Sequence, residues 1–286
     1  MSHPTASATV PARYAVIGNP IAHSKSPLIH TRFAQQTGES IAYEHLLAPL
    51  EGFQTSVADF IAAGGQGLNV TVPFKLEAHR LAHRLSPRAA AAGAVNTLKF
   101  GADGIWGDNT DGIGLVRDIQ QNMGITLIGR RVLLLGAGGA ARGTILPLLE
   151  CRPAELCVVN RTAVRALELA DAFADASAQY GCRFTAGTSE VAAGRFDLVI
   201  NATAGSLDGQ LPVFDPSALG PGTLAYDMMY GPKPTIFIAH AQQLGARAAD
   251  GLGMLVEQAA ESFWIWRGVR PQTAPVLAEL RATLQG

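Results

Sequence analysis

The chain has 286 residues, enough for two domains of ordinary size and a sizeable core. Its 22 basic and 23 acidic residues balance, and no apolar run approaches the length of a membrane span, so no nucleic-acid or membrane partner is expected. Three cysteines, Cys151, Cys157 and Cys182, form no paired motif, which points to free thiols in a cytoplasmic setting and not to a metal or a disulfide.

Residues Met1–Ala12 are small and polar and read as a loose tail, not a signal peptide. Tyr14–Ile17 reads as a short strand closed by Gly18-Asn19-Pro20. A helix is predicted from about Pro27 to Gln36, with Ser26 as its N-cap and Pro27 at its first position. Ile41–Leu47 alternates loosely as a strand does, and Gly67–Thr71 is another strand, ended by Pro73. Helices over Phe74–His83 and Pro87–Ala92 precede strands near Asn96–Phe100 and Ile105–Gly107, which meet at the turn Gly101–Gly104. A helix over about Asp111–Met123 follows.

Downstream, short apolar strands at Val132–Leu135, Leu156–Val159, Asp197–Asn201 and Leu224–Asp227 alternate with helices near Ala140–Leu149 and Val164–Ala176. That alternation is the pattern of a doubly wound parallel sheet. A final helical region starts near Leu252, where Leu252, Leu255, Val256, Ala259, Phe263 and Trp266 share one apolar face. The fold class is therefore α/β in two domains: an N-terminal α/β domain and a Rossmann-like domain.

The strand before Gly136 runs straight into Gly136-Ala137-Gly138-Gly139-Ala140-Ala141, a G-x-G-x-x-A turn that opens a helix. The first glycine permits the turn, the second lets backbone approach a pyrophosphate, and small Ala141 lets helix and sheet pack closely. The exposed N–H groups at such a helix start form an anion site. The next strand ends in Asn160-Arg161-Thr162, with Arg165 one helical turn later and no carboxylate at the strand end. An acidic residue there would bind the 2′-hydroxyl of NAD; two guanidinium groups suit the 2′-phosphate of NADP(H).

Three runs in the first half carry unusual polar content. Ser24 and Ser26 stand just before a helix, where capping competes with binding of a hydroxylated ligand. Asn69 and Thr71 share a face of one strand, with Lys75 in the turn beyond; a pocket at a strand end and a wet edge strand are equal readings. Asp111, after Asn96 and Asp108, is either a helix N-cap or the acid–base partner of Lys75.

Read together, Ser24-Lys-Ser26-Pro, Asn69-Val-Thr71-Val-Pro-Phe-Lys75, Gly93-Ala-Val-Asn96-Thr97, Asp108-Asn-Thr-Asp111-Gly, the Gly136–Ala141 turn, Asn160-Arg161-Thr162, Asn201-Ala-Thr203, Tyr226-Asp-Met228 and Gly251-Leu-Gly-Met-Leu-Val-Glu-Gln258 closely resemble the shikimate dehydrogenase family, in its order and spacing. The resemblance implies reversible, NADPH-dependent reduction of 3-dehydroshikimate to shikimate, on the route to aromatic amino acids. It implies a substrate domain from residues 1–111 plus 251–286 and an inserted NADP domain over 112–250. Lys75 and Asp111 would be the catalytic pair. Ser24 and Ser26 would bind the substrate carboxylate, and Asn69, Thr71, Asn96, Tyr230 and Gln258 its other groups. Gly136, Ala137, Gly138, Gly139, Ala140, Asn160, Arg161, Thr162, Arg165, Thr203, Met228 and Gly251 would face the cofactor. The small-molecule substrate would be handled by a monomer or a homodimer.

The chain departs from the family in reading Ala204-Gly205-Ser206 where two serines and a glycine are common. Related readings are a quinate/shikimate dehydrogenase using NAD or either substrate, a non-catalytic NADP sensor and a folate-type dehydrogenase. Arg161 with Arg165 argues against the first, and retention of both Lys75 and Asp111 against the second.

Overall fold

The computed structural model describes residues 10–205 and 209–285, so the expected tail lies outside it up to residue 9, as does Ser206. Six strands form the first sheet: β1 (Ala12–Gly18), β2 (Ile41–Leu47), β3 (Gly65–Val70), β4 (Arg84–Leu85), β5 (Thr97–Gly101) and β6 (Gly104–Asp108), in the order β2-β1-β3-β5-β6-β4. β1 runs parallel to β2 and β3, and β5 runs antiparallel to β3 and β6. Strand alternation sorts the two faces. Leu68 and Val70 of β3 join Ile17, Phe74 and Leu98 against α2 (Phe53–Ala62), whose Phe53, Val57 and Phe60 recur at helical spacing. Gly67 and Asn69 point the other way. A Cβ on Gly67 would lie 2.5 Å from Trp266 Nε1, so this glycine lets a C-terminal helix seat on the sheet.

α1 (Ser26–Thr37) packs on that second face. α3 (Lys75–Leu81) and α4 (Pro87–Ala92) follow the strand ends. Ser26 is the first helical residue and Lys25 the N-cap, so the expected Ser26 cap is replaced: Ser24 Oγ accepts the Ser26 N–H at 3.3 Å. α5 (Asp111–Arg117) leaves the first sheet and ends in a π-type turn over Asp118–Asn122, which shortens the expected Asp111–Met123 helix.

The second sheet is wholly parallel: β7 (Arg131–Leu135), β8 (Glu155–Val159), β9 (Arg183–Gly187), β10 (Leu198–Asn201), β11 (Leu224–Asp227) and β12 (Arg247–Asp250), in the order β12-β11-β10-β7-β8-β9. Strand order reverses between β7 and β10, which opens a crevice at their carboxyl ends. Val132, Leu134, Leu156, Val158 and Ile200 fill one face, and Leu133, Leu135, Cys157, Val159 and Val199 the other. Helices α6 (Gly139–Glu150), α7 (Ala163–Ala172), α8 (Ala174–Tyr180) and α9 (Ile236–Gln243) cover the sheet. The single helix expected over Val164–Ala176 is broken at Phe173, whose backbone leaves the helical range.

α10 (Leu252–Arg267) and α11 (Ala274–Gln285) return to the first half. Leu252, Val256, Ala259 and Phe263 of α10, with Val276 and Leu280 of α11, bury against Ile29 and Phe33 of α1. Between the halves α5 is squeezed: a Cβ on Gly112 would stand 2.4 Å from Gly143 O, and one on Gly114 2.7 Å from Gln258 Cβ. A buried charge knot ties the same place. Glu261 accepts from Arg117, from Arg88 at 3.1 Å and from Arg270 at 2.8 Å, while Asp108 takes Arg88 and Glu257 takes Arg270. Burial raises the Glu261 pKa, but the surrounding guanidinium groups outweigh it and hold the carboxyl below its ordinary range. Among the described residues no helix is long and apolar enough to cross a membrane.

Candidate active site

A cleft of about 270 Å³ opens where the carboxyl ends of β1 and β3, the start of α10 and the loop after β11 converge. The sequence gives its wall a polar surface because the strand ends carry amides and hydroxyls in place of branched hydrocarbons. Ser24, Ser26, Asn69, Thr71, Lys75, Asn96, Asp111, Tyr230 and Gln258 all line it, although the chain separates them by as many as 234 positions.

Lys75 opens α3 directly after Pro73 stops β3, and Asp111 opens α5 directly after β6. Lys75 Nζ donates to Asp111 Oδ2 at 2.5 Å. Asp111 Oδ1 accepts from Asn96 Nδ2 at 2.8 Å, so both carboxylate oxygens are fixed. Asn96 is held in turn: its Oδ1 accepts the Thr110 N–H at 2.9 Å and the Thr97 hydroxyl at 3.0 Å. Thr110 is the N-cap of α5, so the N-cap role weighed for Asp111 falls to its neighbour and the Asp111 side chain is free for Lys75. The pair is partly exposed, with side-chain accessibilities of 31% for Lys75 and 17% for Asp111, so it contributes little to stability and remains reachable by a ligand.

Ser24 and Ser26 place their hydroxyl oxygens 3.2 Å apart, and His45 on β2 steadies their loop through Ser24 O at 3.0 Å. Gln258 donates to Leu255 O at 2.9 Å, and its Oε1 lies 3.3 Å from Thr110 Oγ1. Asn69 differs from the others. Its Oδ1 accepts from Tyr43 OH at 2.7 Å and from His30 Nε2 at 3.1 Å, and its Nδ2 donates to Ser262 Oγ at 2.9 Å and Thr97 Oγ1 at 3.2 Å. Burial drives the His30 pKa down to about 3, so the ring is neutral. Asn69 is thus the knot of an inner network as well as a lining residue.

His30, Tyr43 and Ser262 were not singled out from the sequence, and Thr97 and Thr110 stood there only inside longer motifs. A signal exists for two of the hidden partners: Ser262 stands one helical turn after Gln258, and His30 one turn after Ser26, on the faces already marked.

Beyond the cleft lies the dinucleotide crevice. Gly136 has φ +109°, a conformation that other residues rarely adopt, and a Cβ there would stand 3.0 Å from Thr203 Cγ2. A Cβ on Gly138 or Gly139 would meet nothing within 4 Å, so the turn is open above its backbone. No side chain caps the start of α6, which leaves its N–H groups to an anion, and Ala141 is fully buried against the sheet. A second cleft of about 280 Å³ continues past Gly136, Asn160, Arg161, Thr203 and Gln210. Arg161 and Arg165 are exposed, and neither is ion-paired among the described residues. Arg161 precedes α7 and lines this cleft; Thr162 and Arg165 lie beside it without lining it. Met228 and Gly251 line the substrate cleft, where Gly251 is demanded by Met228 O, 2.1 Å from where a Cβ would stand. The open cradle, free helix start and unpaired guanidinium groups fit a phosphorylated dinucleotide.

Comparison with known proteins agrees along most of the chain. Residues 16–98 match the model of a shikimate dehydrogenase substrate binding domain, 118–208 that of a shikimate/quinate 5-dehydrogenase, and 251–281 that of a shikimate 5'-dehydrogenase C-terminal domain. A shikimate dehydrogenase (NADP(+)) from Cupriavidus taiwanensis is 60% identical over 96% of this chain and 94% of its own. An Ael1 enzyme from Pseudomonas putida superposes with a TM-score of 0.89 at 48% identity, over 94% of this chain and 98% of that one. A shikimate 5-dehydrogenase from Thermus thermophilus, solved with NADP(H) and shikimate, gives 0.83 at 32% identity, over 96% and 100%. With relatives this similar over nearly its full length, and with the motifs gathered around one cleft, the chain belongs to the shikimate dehydrogenase family.

Proposed function

We propose that this protein is an NADP-dependent oxidoreductase that interconverts 3-dehydroshikimate and shikimate, in the biosynthesis of aromatic amino acids. The observation that carries the reading is the Lys75–Asp111 pair, set in a wall of hydroxyls and amides next to an open dinucleotide turn. A small, anionic, polyhydroxylated ring suits such a wall, because each polar group lost to water finds a partner. The nicotinamide, when bound, supplies or accepts the hydride. In our reading Lys75 holds the proton: its ammonium gives it to the ring ketone oxygen as the alcohol forms, and the amine takes it back in the reverse direction. Asp111 Oδ2 holds the ammonium in place, while Asn96 prevents that carboxylate from turning. Ser24 and Ser26 hold the carboxylate, with Thr71, Tyr230 and Gln258 around the ring. Arg161 and Arg165 read the 2′-phosphate.

We divide the chain into a substrate domain of residues 1–111 plus 251–286 and an NADP domain of 112–250. The shared core of α1, α10 and α11 supports that division. We take the protein to work as a monomer or a homodimer, in the cytoplasm. The test is a spectrophotometric assay of shikimate and quinate, each against NADP⁺ and NAD⁺. Rapid turnover only with shikimate and NADP⁺ is expected. Equal rates with quinate, or with NAD⁺, would replace this reading with the broader quinate/shikimate activity.

A further inference from the structure

Asp227, at the carboxyl end of β11, is fully buried, and among the described residues it has no ion-pair partner. Its carboxylate rests on three neutral donors: Asn201 Nδ2 at 3.2 Å and the Met229 N–H at 3.0 Å on Oδ1, and the Thr235 hydroxyl at 2.6 Å on Oδ2. Burying a charge without a counter-ion is expensive, so stability alone gives little reason for a carboxylate here.

In this arrangement both Asp227 oxygens accept, so Asn201 presents Nδ2 to Oδ1. Asn201 Oδ1 is thereby turned the opposite way, where it accepts the Thr203 N–H at 3.1 Å and the Thr203 hydroxyl at 2.7 Å. The single hydroxyl proton of Thr203 is committed inward, and its lone pairs are left for a donor in the crevice it lines with Gly136 and Arg161. On the other side, Met229 and Thr235 bracket the segment that carries Tyr230 into the substrate cleft. Asn201 and Asp227 are register partners on neighbouring strands, so one buried pair governs both clefts.

We propose that Asp227 and Asn201 are a positioning pair that sets the polarity of Thr203 and pins the Met228–Tyr230 segment, aligning the substrate cleft with the dinucleotide crevice for hydride transfer. The proposal rests on the functional reading above. Neither residue touches substrate or reacting atoms; both act through Thr203, Met228 and Tyr230.

The test is Asp227→Asn, which keeps the shape but replaces one acceptor oxygen by an NH2 donor, so Asn201 Nδ2, the Met229 N–H and the Thr235 hydroxyl can no longer all donate to it as they do now. In the ligand-free protein, hydrogen exchange at the Thr203 and Met229 amides should quicken about tenfold or more, with the β7 and β8 amides unchanged. In the assay, kcat for shikimate oxidation should fall about 10- to 100-fold while KM for shikimate stays within about threefold. Shikimate deuterated at the oxidised carbon should give a larger isotope effect on kcat than in the wild type. Thr235→Val, which removes one donor and spares the Asn201 contact, should act in the same direction by about fivefold and serves if Asp227→Asn does not fold. Unchanged amide exchange, an isotope effect at the wild-type value, or a fall in kcat matched by an equal rise in KM would overturn the positioning role. The exchange measurement needs no substrate, so it judges the pair even where a wild-type protein inert toward shikimate and NADP⁺ has already ended the functional reading.

Discussion

The substrate cleft and the dinucleotide crevice are nearly equal in volume, about 270 and 280 Å³, yet they are built on opposite plans. In the first, side chains are tied to one another before any ligand arrives: Lys75 to Asp111, Asp111 to Asn96, Asn69 to four neighbours. In the second, the recognition surface is bare backbone at Gly138 and Gly139 beside guanidinium groups that have no ion-pair partner among the described residues. A reacting centre gains from groups whose placement costs no reorganisation during the chemistry. A carrier that must come and go gains from a cradle that is open and only electrostatically primed.

That contrast can be broken most forcefully at Lys75. Lys75→Ala should cut kcat by about 10²- to 10⁴-fold and leave NADP⁺ affinity nearly untouched, because the lysine lies outside the crevice. Steady-state kinetics with a cofactor titration will show it; a loss of cofactor binding instead would mean that the two clefts are not separate. The next effect belongs to the arginines. Replacing Arg161 and Arg165 by alanine should weaken NADP⁺ by about 100-fold or more, since each of the two charge-assisted contacts is worth about 1.5–3 kcal/mol, and NAD⁺ far less. Calorimetric titration of both cofactors checks this, and equal losses would show that the arginines do not read the 2′-phosphate. A smaller effect is expected at Gly138→Ala. The ligand-free protein should melt as before, because nothing stands within 4 Å of the new methyl, but NADP⁺ should lose about tenfold in affinity through crowding.

The mildest test uses pH. Burial holds His30 at about 3, against an ordinary value of 6.5 in the unfolded chain. The unfolded chain takes up the proton first, so this contribution to stability is full above pH 6.5 and drains away as pH falls toward 3. The slope from this residue is at most about 1.4 kcal/mol per pH unit. Urea unfolding between pH 6.5 and 4.5 should show it in the wild type and lose it in His30→Leu; identical slopes would exclude His30 as the source.

The crevice was the more readable of the two regions, because its signals are local. Gly136–Ala141 and Asn160–Arg161 each lie within a few residues of a strand end, and turn geometry and charge suffice to interpret them. The cleft is non-local: Lys75 and Asp111 meet only because β3 and β6 flank β5 in one sheet, a pairing that no spacing rule states, so the residues alone left it as one of two readings of Asp111. Among the elements, the buried apolar strands β7, β8, β10 and β11 stood out, whereas the edge strands β9 and β12 did not. β12 reads Arg-Ala-Ala-Asp and has one neighbour to bury against, so it carries neither β-branched residues nor an apolar run. Helix α2 had its apolar spacing in plain view at Phe53, Val57 and Phe60 but no side-chain cap to mark its start.

The seating of α10 and α11 against α1 also sets an order of events during synthesis. Ile29 and Phe33 leave the ribosome early, but their partners Val256, Phe263 and Val276 emerge more than 220 residues later. All six strands of the parallel sheet are translated in that interval, so the inserted half can finish folding while the older half still waits with a greasy flank uncovered. Nascent chains halted near residue 250 should therefore hold an assembled nucleotide fold tethered to an unfinished neighbour, and this neighbour is where chaperones would be recruited.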